Sequence, residues 1–260
     1  MDSGLTGRTA LVLASTGGLG AATARALSAE GANVVVTGRT GTAAAAAELR
    51  GVTGAGAIGV DCDLTDPAVP QRLVTATREA FGDPDIVVLN GPGPAPGPAA
   101  ELTATGARDA IELLLTPQVA VVSEVLPAMR AAGWGRILAI GSSGVQQPIP
   151  MLSASNLGRA ALAGYLKTLA DEVAPDGVTV NMLLPGRIAT ARVAAIDEAA
   201  ARRTGRGVEQ VRAESLAKIP ARRYGEPDEF GAVAAFLCSA LASYVTGSQI
   251  RCDGGMIAHL

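Results

Sequence analysis

Seven short apolar runs recur along this chain, each separated from the next by a longer stretch rich in Ala, Leu and Glu. The runs Thr9–Leu13, Asn33–Thr37, Ala57–Val60, Ile86–Leu89, Arg136–Ile140, Thr179–Leu184 and Gln249–Cys252 read as strands. The stretches at about 19–30, 42–50, 67–81, 106–132, 153–174 and 226–240 read as helices. Near-continuous apolar strands alternating with helices are the pattern of a parallel sheet covered on both faces. The expected fold is therefore α/β: a single-domain, Rossmann-like, doubly wound parallel sheet of about seven strands. The chain has 260 residues, 48% of them hydrophobic and 17% charged, which is enough apolar surface for one large core. No repeat or linker divides it, so residues 1–260 are expected to form one nucleotide-binding domain.

Composition also narrows the function. A net charge of -3 and Arg pairs that stand alone, Arg202-Arg203 and Arg222-Arg223, argue against a nucleic-acid surface. The three cysteines, Cys62, Cys238 and Cys252, have no metal-ligand spacing and no histidine cluster beside them, so neither a metal site nor a disulfide framework is expected. The N-terminus lacks a signal-peptide pattern and no stretch is expected to approach the ~18 apolar residues needed to span a bilayer. The expected setting is a reducing cytoplasm, with no membrane partner.

Two loops follow predicted strands at the end where α/β folds bind ligands. The first is Ala14-Ser15-Thr16-Gly17-Gly18-Leu19-Gly20, which leads into an Ala-rich helix. Small residues let a pyrophosphate approach the backbone, and a helix N-terminus offers unpaired N–H groups to it. The second is Pro92-Gly93-Pro94-Ala95-Pro96-Gly97-Pro98, whose four prolines exclude helix and central strand. It is either a stiff connector or a wall of the substrate pocket. A long Arg-rich excursion at about 187–223 reads as partly helical, and as either a lid or an oligomer surface.

The glycine loop resembles that of the short-chain dehydrogenase/reductase family, with Gly18-Leu19-Gly20 matching its final Gly-Ile-Gly. The family's opening Thr-Gly is Leu13-Ala14 here, which permits a tight turn if the Ala14 φ is negative. Asp63-Leu64, Asn90, Pro185-Gly186-Arg187-Ile188-Ala189-Thr190 and Asp253-Gly254-Gly255 match further family segments, so the resemblance covers nearly the whole chain, including that of 3-oxoacyl-acyl-carrier-protein reductase-like members. It implies a nicotinamide cofactor held by Ser15, Thr16, Gly18, Leu19, Gly20, Arg39, Asp63, Leu64, Asn90 and Ile188. Arg39 stands where an NAD-preferring enzyme usually carries an acid, and a guanidinium there suits a 2′-phosphate, so NADP(H) is expected over NAD(H). The resemblance further implies a homotetramer or dimer, packed through the helices at 106–132 and 153–174.

The family's catalytic Tyr-x-x-x-Lys is absent: Tyr165, Tyr224 and Tyr244 are followed four places on by Leu169, Asp228 and Ser248. Aligned on the strand before it, Ser142 matches the family's serine, Leu152 falls at the Tyr place, Asn156 at the Lys place and Leu114 at the place of its Asn. On that alignment the connection between Ser142 and Leu152 is about three residues shorter than usual. Ser142, Asn156 and Gln147 are the expected catalytic residues, and Gln146, Ser143, Ser153, Ser155 and Arg187 stand near them. Three readings follow: an NADP(H)-dependent oxidoreductase of a carbonyl or alcohol with an atypical site, a non-redox dehydratase, cyclase or isomerase, and a catalytically silent nucleotide-binding scaffold. Prolines and aliphatic residues around the expected pocket suggest an apolar or cyclic small-molecule substrate.

Overall fold

The computed structural model describes residues 2–259. Seven strands form one parallel sheet in the order β3-β2-β1-β4-β5-β6-β7, with β1 Thr9–Val12, β2 Asn33–Gly38, β3 Ala57–Asp61, β4 Ile86–Leu89, β5 Gly135–Ile140, β6 Val178–Pro185 and β7 Gln249–Cys252. The chain order reverses between β1 and β4, which opens a crevice above the carboxyl ends of those two strands.

Successive residues of the central strands point to opposite faces and build two cores. Leu11, Val35, Val87 and Ile137 face one core, with α3 (Val69–Phe81), α5 (Thr116–Ala132) and α6 (Ser153–Val173) over them. Ala10, Val12, Val34 and Val88 face the other, under α1 (Gly18–Ala29), α2 (Thr42–Thr53) and α9 (Pro227–Cys238). Phe230 and Leu27, both fully buried, sit in the second core; burial of such a side chain is worth about 1.5–3 kcal/mol. The α1–α9 crossing is close because Gly231 has no side chain: a Cβ there would lie 2.6 Å from the Ala22 carbonyl oxygen.

The predicted 106–132 helix is two helices. α4 (Ala104–Leu114) ends at Leu115, and α5 starts with Pro117 in its first turn, a position proline tolerates because the N–H it lacks has no helical partner there. The sequence expectation about apolar length is also corrected. Across Ala104–Ala132 the mean hydropathy of an 18-residue window reaches 1.4, enough by length and composition alone to cross a membrane. Both helices are nonetheless packed into this fold, α4 on α6 and α5 on α3. The 187–223 excursion contains α7 (Ala191–Thr204) and α8 (Val208–Ala217).

Candidate active site

A cavity of about 730 Å³ lies above the carboxyl ends of β1, β2, β4, β5 and β6. At one end stand Thr16, Gly18, Leu19, Arg39, Asp63, Leu64 and Asn90, and at the other Ser142, Leu152, Arg159, Ile188 and Arg192.

The first end is made chiefly of backbone. Gly18 has φ +56, and Gly17 caps α1 without a side-chain hydrogen bond, so the amides of the first turn have no side chain in front of them. Gly20 lies behind this lip rather than in the lining. A Cβ there would collide with the Ala14 carbonyl and lie 2.8 Å from Asn90 Nδ2, so only glycine allows α1 to come this close to β1 and β4. Asn90 Nδ2 donates to the Ala14 oxygen at 3.0 Å, and the Ala14 amide donates to Thr37 Oγ1 at 3.0 Å. The condition set on Ala14 is not met: its φ is +47, a left-handed value that L-alanine adopts at a cost of roughly 1–2 kcal/mol. Ser15, expected at the cofactor, is buried, with Oγ donating to the Val12 oxygen at 2.7 Å and accepting the Thr37 amide at 3.0 Å. It holds the turn shape and does not line the cavity. Arg39 is exposed at the end of β2. Nearby, Asp63 is held below the usual carboxylate range by the Thr65 amide and hydroxyl that bond it, with a smaller contribution from Arg39.

These features fit a dinucleotide: a glycine cradle and bare helix amides for the pyrophosphate, and an exposed guanidinium and a carboxylate at the far edge for the adenosine ribose. Burial pushes the Cys62 thiol up, so this cavity-lining cysteine stays a neutral wall residue near pH 7.

The second end is built from side chains that four separate segments bring together. Ser142 closes β5 and its Oγ accepts the Gly144 amide at 3.1 Å, which orients the hydroxyl at the cavity edge. The proline-rich loop and the segment after Ser142 are joined by a parallel bridge between Gly97 and Leu152. The Gly97 amide donates to the Met151 oxygen at 2.8 Å, and Ser153 Oγ donates to the Gly97 oxygen at 2.9 Å. Pro92–Pro98 is thus one wall of the cavity, with Pro92 and Pro96 in its lining.

Asn156 and Gln147, expected as catalytic residues, are both placed away from the cavity lining. Asn156 Nδ2 donates to the Ile149 oxygen at 3.0 Å, which secures the loop before α6. Gln147 is exposed, and Gln146 is engaged with Gln249 and Arg251 of β7. The α6 side chain that reaches the cavity is Arg159, one turn beyond Asn156, and its Nη1 donates to the Ile140 oxygen at 2.9 Å, two residues before Ser142. Surrounding protein desolvates this guanidinium and, with the nearby Arg192 charge, lowers its pKa to about 10. Leu114 stays in the helix interface, against Gly158 of α6.

Arg187 is neutralised. Its Nη1 donates to Asp197 Oδ1 at 2.9 Å, and the Tyr224 hydroxyl donates to Asp197 Oδ2 at 2.8 Å. Asp197 is 3% exposed, so this bond pair secures α7 to the end of β6 and to the segment before α9.

A parallel sheet with this crevice and glycine cradle is the architecture of the Rossmann-type dinucleotide-binding class. The family model described as Enoyl-(Acyl carrier protein) reductase matches residues 13–257. D-beta-hydroxybutyrate dehydrogenase of Cupriavidus necator is 35% identical over 257 residues, covering 98% of this chain and 99% of its own. The L-sorbose reductase of Gluconobacter frateurii, solved with NADPH and L-sorbose, superposes with a TM-score of 0.93 at 30% identity over 100% of both chains. A putative NAD(P)-dependent gluconate 5-dehydrogenase from Beutenbergia cavernae, with bound NADP, superposes at 0.88 with 32% identity, again over 100% of both chains. The chain belongs to the short-chain dehydrogenase/reductase family.

Proposed function

We propose that this protein is an NADP(H)-dependent reductase or dehydrogenase that interconverts a carbonyl and an alcohol through an atypical site. The observation that carries this reading is the single cavity that runs from Arg39 and the glycine cradle to Ser142. The relatives solved with NADPH and NADP support the cofactor. Arg39, standing at the end of β2 in the place where an acid would favour the free ribose hydroxyls, supports the phosphorylated form. Thr16, Gly18 and Leu19 would hold the pyrophosphate, Arg39 the 2′-phosphate, Asp63 and Leu64 the adenine side, and Asn90 and Ile188 the floor beneath the nicotinamide.

When bound, the cofactor supplies the hydride. The chain's own residues do the rest. The Ser142 hydroxyl accepts from the Gly144 amide, which leaves its hydrogen free to bond a substrate oxygen. Arg159 holds a positive charge on the same side and stabilises the developing alkoxide. In the reductive direction the carbonyl carbon gains the hydride and its oxygen gains a proton. Water supplies that proton, because a guanidinium retains its own near neutral pH. Arg159 thus takes the place at which the sequence alignment set Asn156, and the residue four before it is Ser155.

Among the described residues that line the cavity there is no Tyr, Lys or His. That observation favours a second reading, a nucleotide-binding protein without hydride chemistry. Titrating NADPH and NADH separately by fluorescence, and then following NADPH consumption across a panel of carbonyl compounds, separates the two. Micromolar NADPH binding with turnover upholds the first reading; binding with no consumption above the buffer rate on every carbonyl upholds the second.

We further propose that α7 and α8 act as a lid over the cavity, since Arg192, Val193, Ile196 and Arg203 of α7 lie in its lining. Self-association is supported by the exposed Phe236, Leu241 and Tyr244 near the end of α9. Three free cysteines, two of them buried, suit a reducing compartment.

A further inference from the structure

The charges around the substrate end of the cavity do not balance. Five arginines line the cavity, and the one carboxylate among the described lining residues is Asp63, at the opposite end beside Arg39. Arg187 is paired with Asp197. That leaves Arg159, Arg192 and Arg203. Arg159 bonds one neutral carbonyl, and the other two make no side-chain hydrogen bond or ion pair among the described residues.

Their placement makes the imbalance local. Arg192 is in the first turn of α7, where the helix dipole is positive and a cation is disfavoured, and that turn carries no acid. Its guanidinium crosses to the proline-rich loop and lies against Gly93, where a Cβ would collide with it. It is close enough for its charge to add to the depression of the Arg159 pKa. Arg159 is desolvated and Arg192 is exposed beside it, and two guanidiniums and a helix N-terminus around one opening are mutually unfavourable until an anion enters. Beside Ser142, Ser143 and Thr190 the remaining walls are apolar, with Leu113, Ile149, Met151, Val193 and Ile196 among them.

We infer that this end of the cavity is a carboxylate site formed by Arg159 and Arg192, and that the substrate is an oxo or hydroxy acid with an apolar body. This rests on the carbonyl reductase reading above. Arg159 is anchored to Ile140 two residues from Ser142, so the carboxylate lies a few bonds from the reacting carbon. Cofactor phosphates have a backbone cradle at Gly17–Leu19, which meets α7 at its cap, where a Cβ on Gly18 would lie 3.9 Å from Thr190 Cγ2.

Calorimetric titration of cyclohexanecarboxylate and of its neutral isostere cyclohexanecarboxamide, each with and without saturating NADPH, tests the inference. The carboxylate is expected to bind at least tenfold more tightly than the amide. Arg192→Gln, an exposed change that should leave thermal unfolding unaltered, is expected to bring that ratio below threefold while the NADPH Kd stays within twofold of wild type. Equal affinity for the two probes, or no binding of either up to ~10 mM, overturns the carboxylate site. So does a loss confined to NADPH binding in the variant, which would assign the charge to the cofactor pyrophosphate. A wild-type protein that binds the carboxylate but not NADPH would sink the reductase reading and leave the anion site standing.

Discussion

The two ends of the cavity are built by different means. The proposed nucleotide end offers backbone amides, glycines and one turn, with the Arg39 and Asp63 side chains at its far edge, drawn from the segments that follow β1, β2, β3 and β4. The substrate end uses side chains of β5, α6, α7 and the proline-rich loop, and what each does depends on helical register. A backbone cradle is written in short, local sequence, because glycine is required wherever an approach is too close for a Cβ. A side-chain constellation is written only in the fold, and a shift of three residues changes which group faces the ligand.

The largest effect that would break this contrast lies at Ser142. Ser142→Ala removes the one hydroxyl oriented at the substrate oxygen, and the rate of NADPH oxidation on an accepted carbonyl should fall about 10²–10³-fold. NADPH affinity should be unchanged, because the nucleotide end does not use this side chain. Comparable losses of rate and of cofactor affinity would show that the two ends are not separable.

Asp197→Asn comes next. The substitution leaves the Tyr224 bond possible but takes the counter-charge from Arg187, at a cost of about 1–3 kcal/mol measured by denaturant unfolding. Because α7 carries Arg192, the same variant should lose substrate affinity more than NADPH affinity. An unchanged midpoint would mean the pair is not what holds α7 in place.

Arg39→Asp sharpens the nucleotide side. Exchanging the guanidinium for a carboxylate replaces attraction for a 2′-phosphate with repulsion and offers an acceptor to ribose hydroxyls instead. NADPH binding should weaken by about tenfold or more, the equivalent of roughly 1.4 kcal/mol, and NADH binding should improve. If NADPH affinity holds, the phosphate is bound elsewhere.

Legibility in the sequence follows the same divide. All seven strands were readable within a residue or so, because fully buried parallel strands are unbroken runs such as Ile86–Leu89. The break at Leu115 was missed although Pro117 marks it, since an apolar, Ala-rich stretch on both sides hides a one-residue interruption. At the nucleotide end Thr16, Gly18, Leu19, Arg39, Asp63, Leu64 and Asn90 line the cavity, and Ser15 and Gly20 shape it from behind. At the substrate end Ser142 was legible as the end of a strand, and Asn156 and Gln147 were not correctly placed. The clue lies in the three-residue shortening before α6, which vanishes when the family's Tyr and Lys places fall three residues later, on Ser155 and Arg159. Arg192 and the pairing of Gly97 with Leu152 had no sequence signal, because both are contacts between segments more than fifty residues apart.

The smallest effect concerns Ala14, where the backbone end departs from its own rule. Its left-handed φ of +47 costs alanine roughly 1–2 kcal/mol that glycine does not incur, whereas glycine gives up about 0.5–1 kcal/mol to the freer unfolded chain. Ala14→Gly should therefore stabilise the fold by a net ~0.5–1 kcal/mol, seen as a rise of about 1–4 °C in thermal unfolding. NADPH affinity should stay the same, since the bonds through Ala14 to Asn90 and Thr37 use backbone atoms that glycine also has. No gain in stability would mean that the turn relaxes when the nucleotide end is empty. A gain in NADPH affinity would mean that the strain at Ala14 is greater when the cradle is filled than when it is empty, and the backbone end would then depend on a side chain after all.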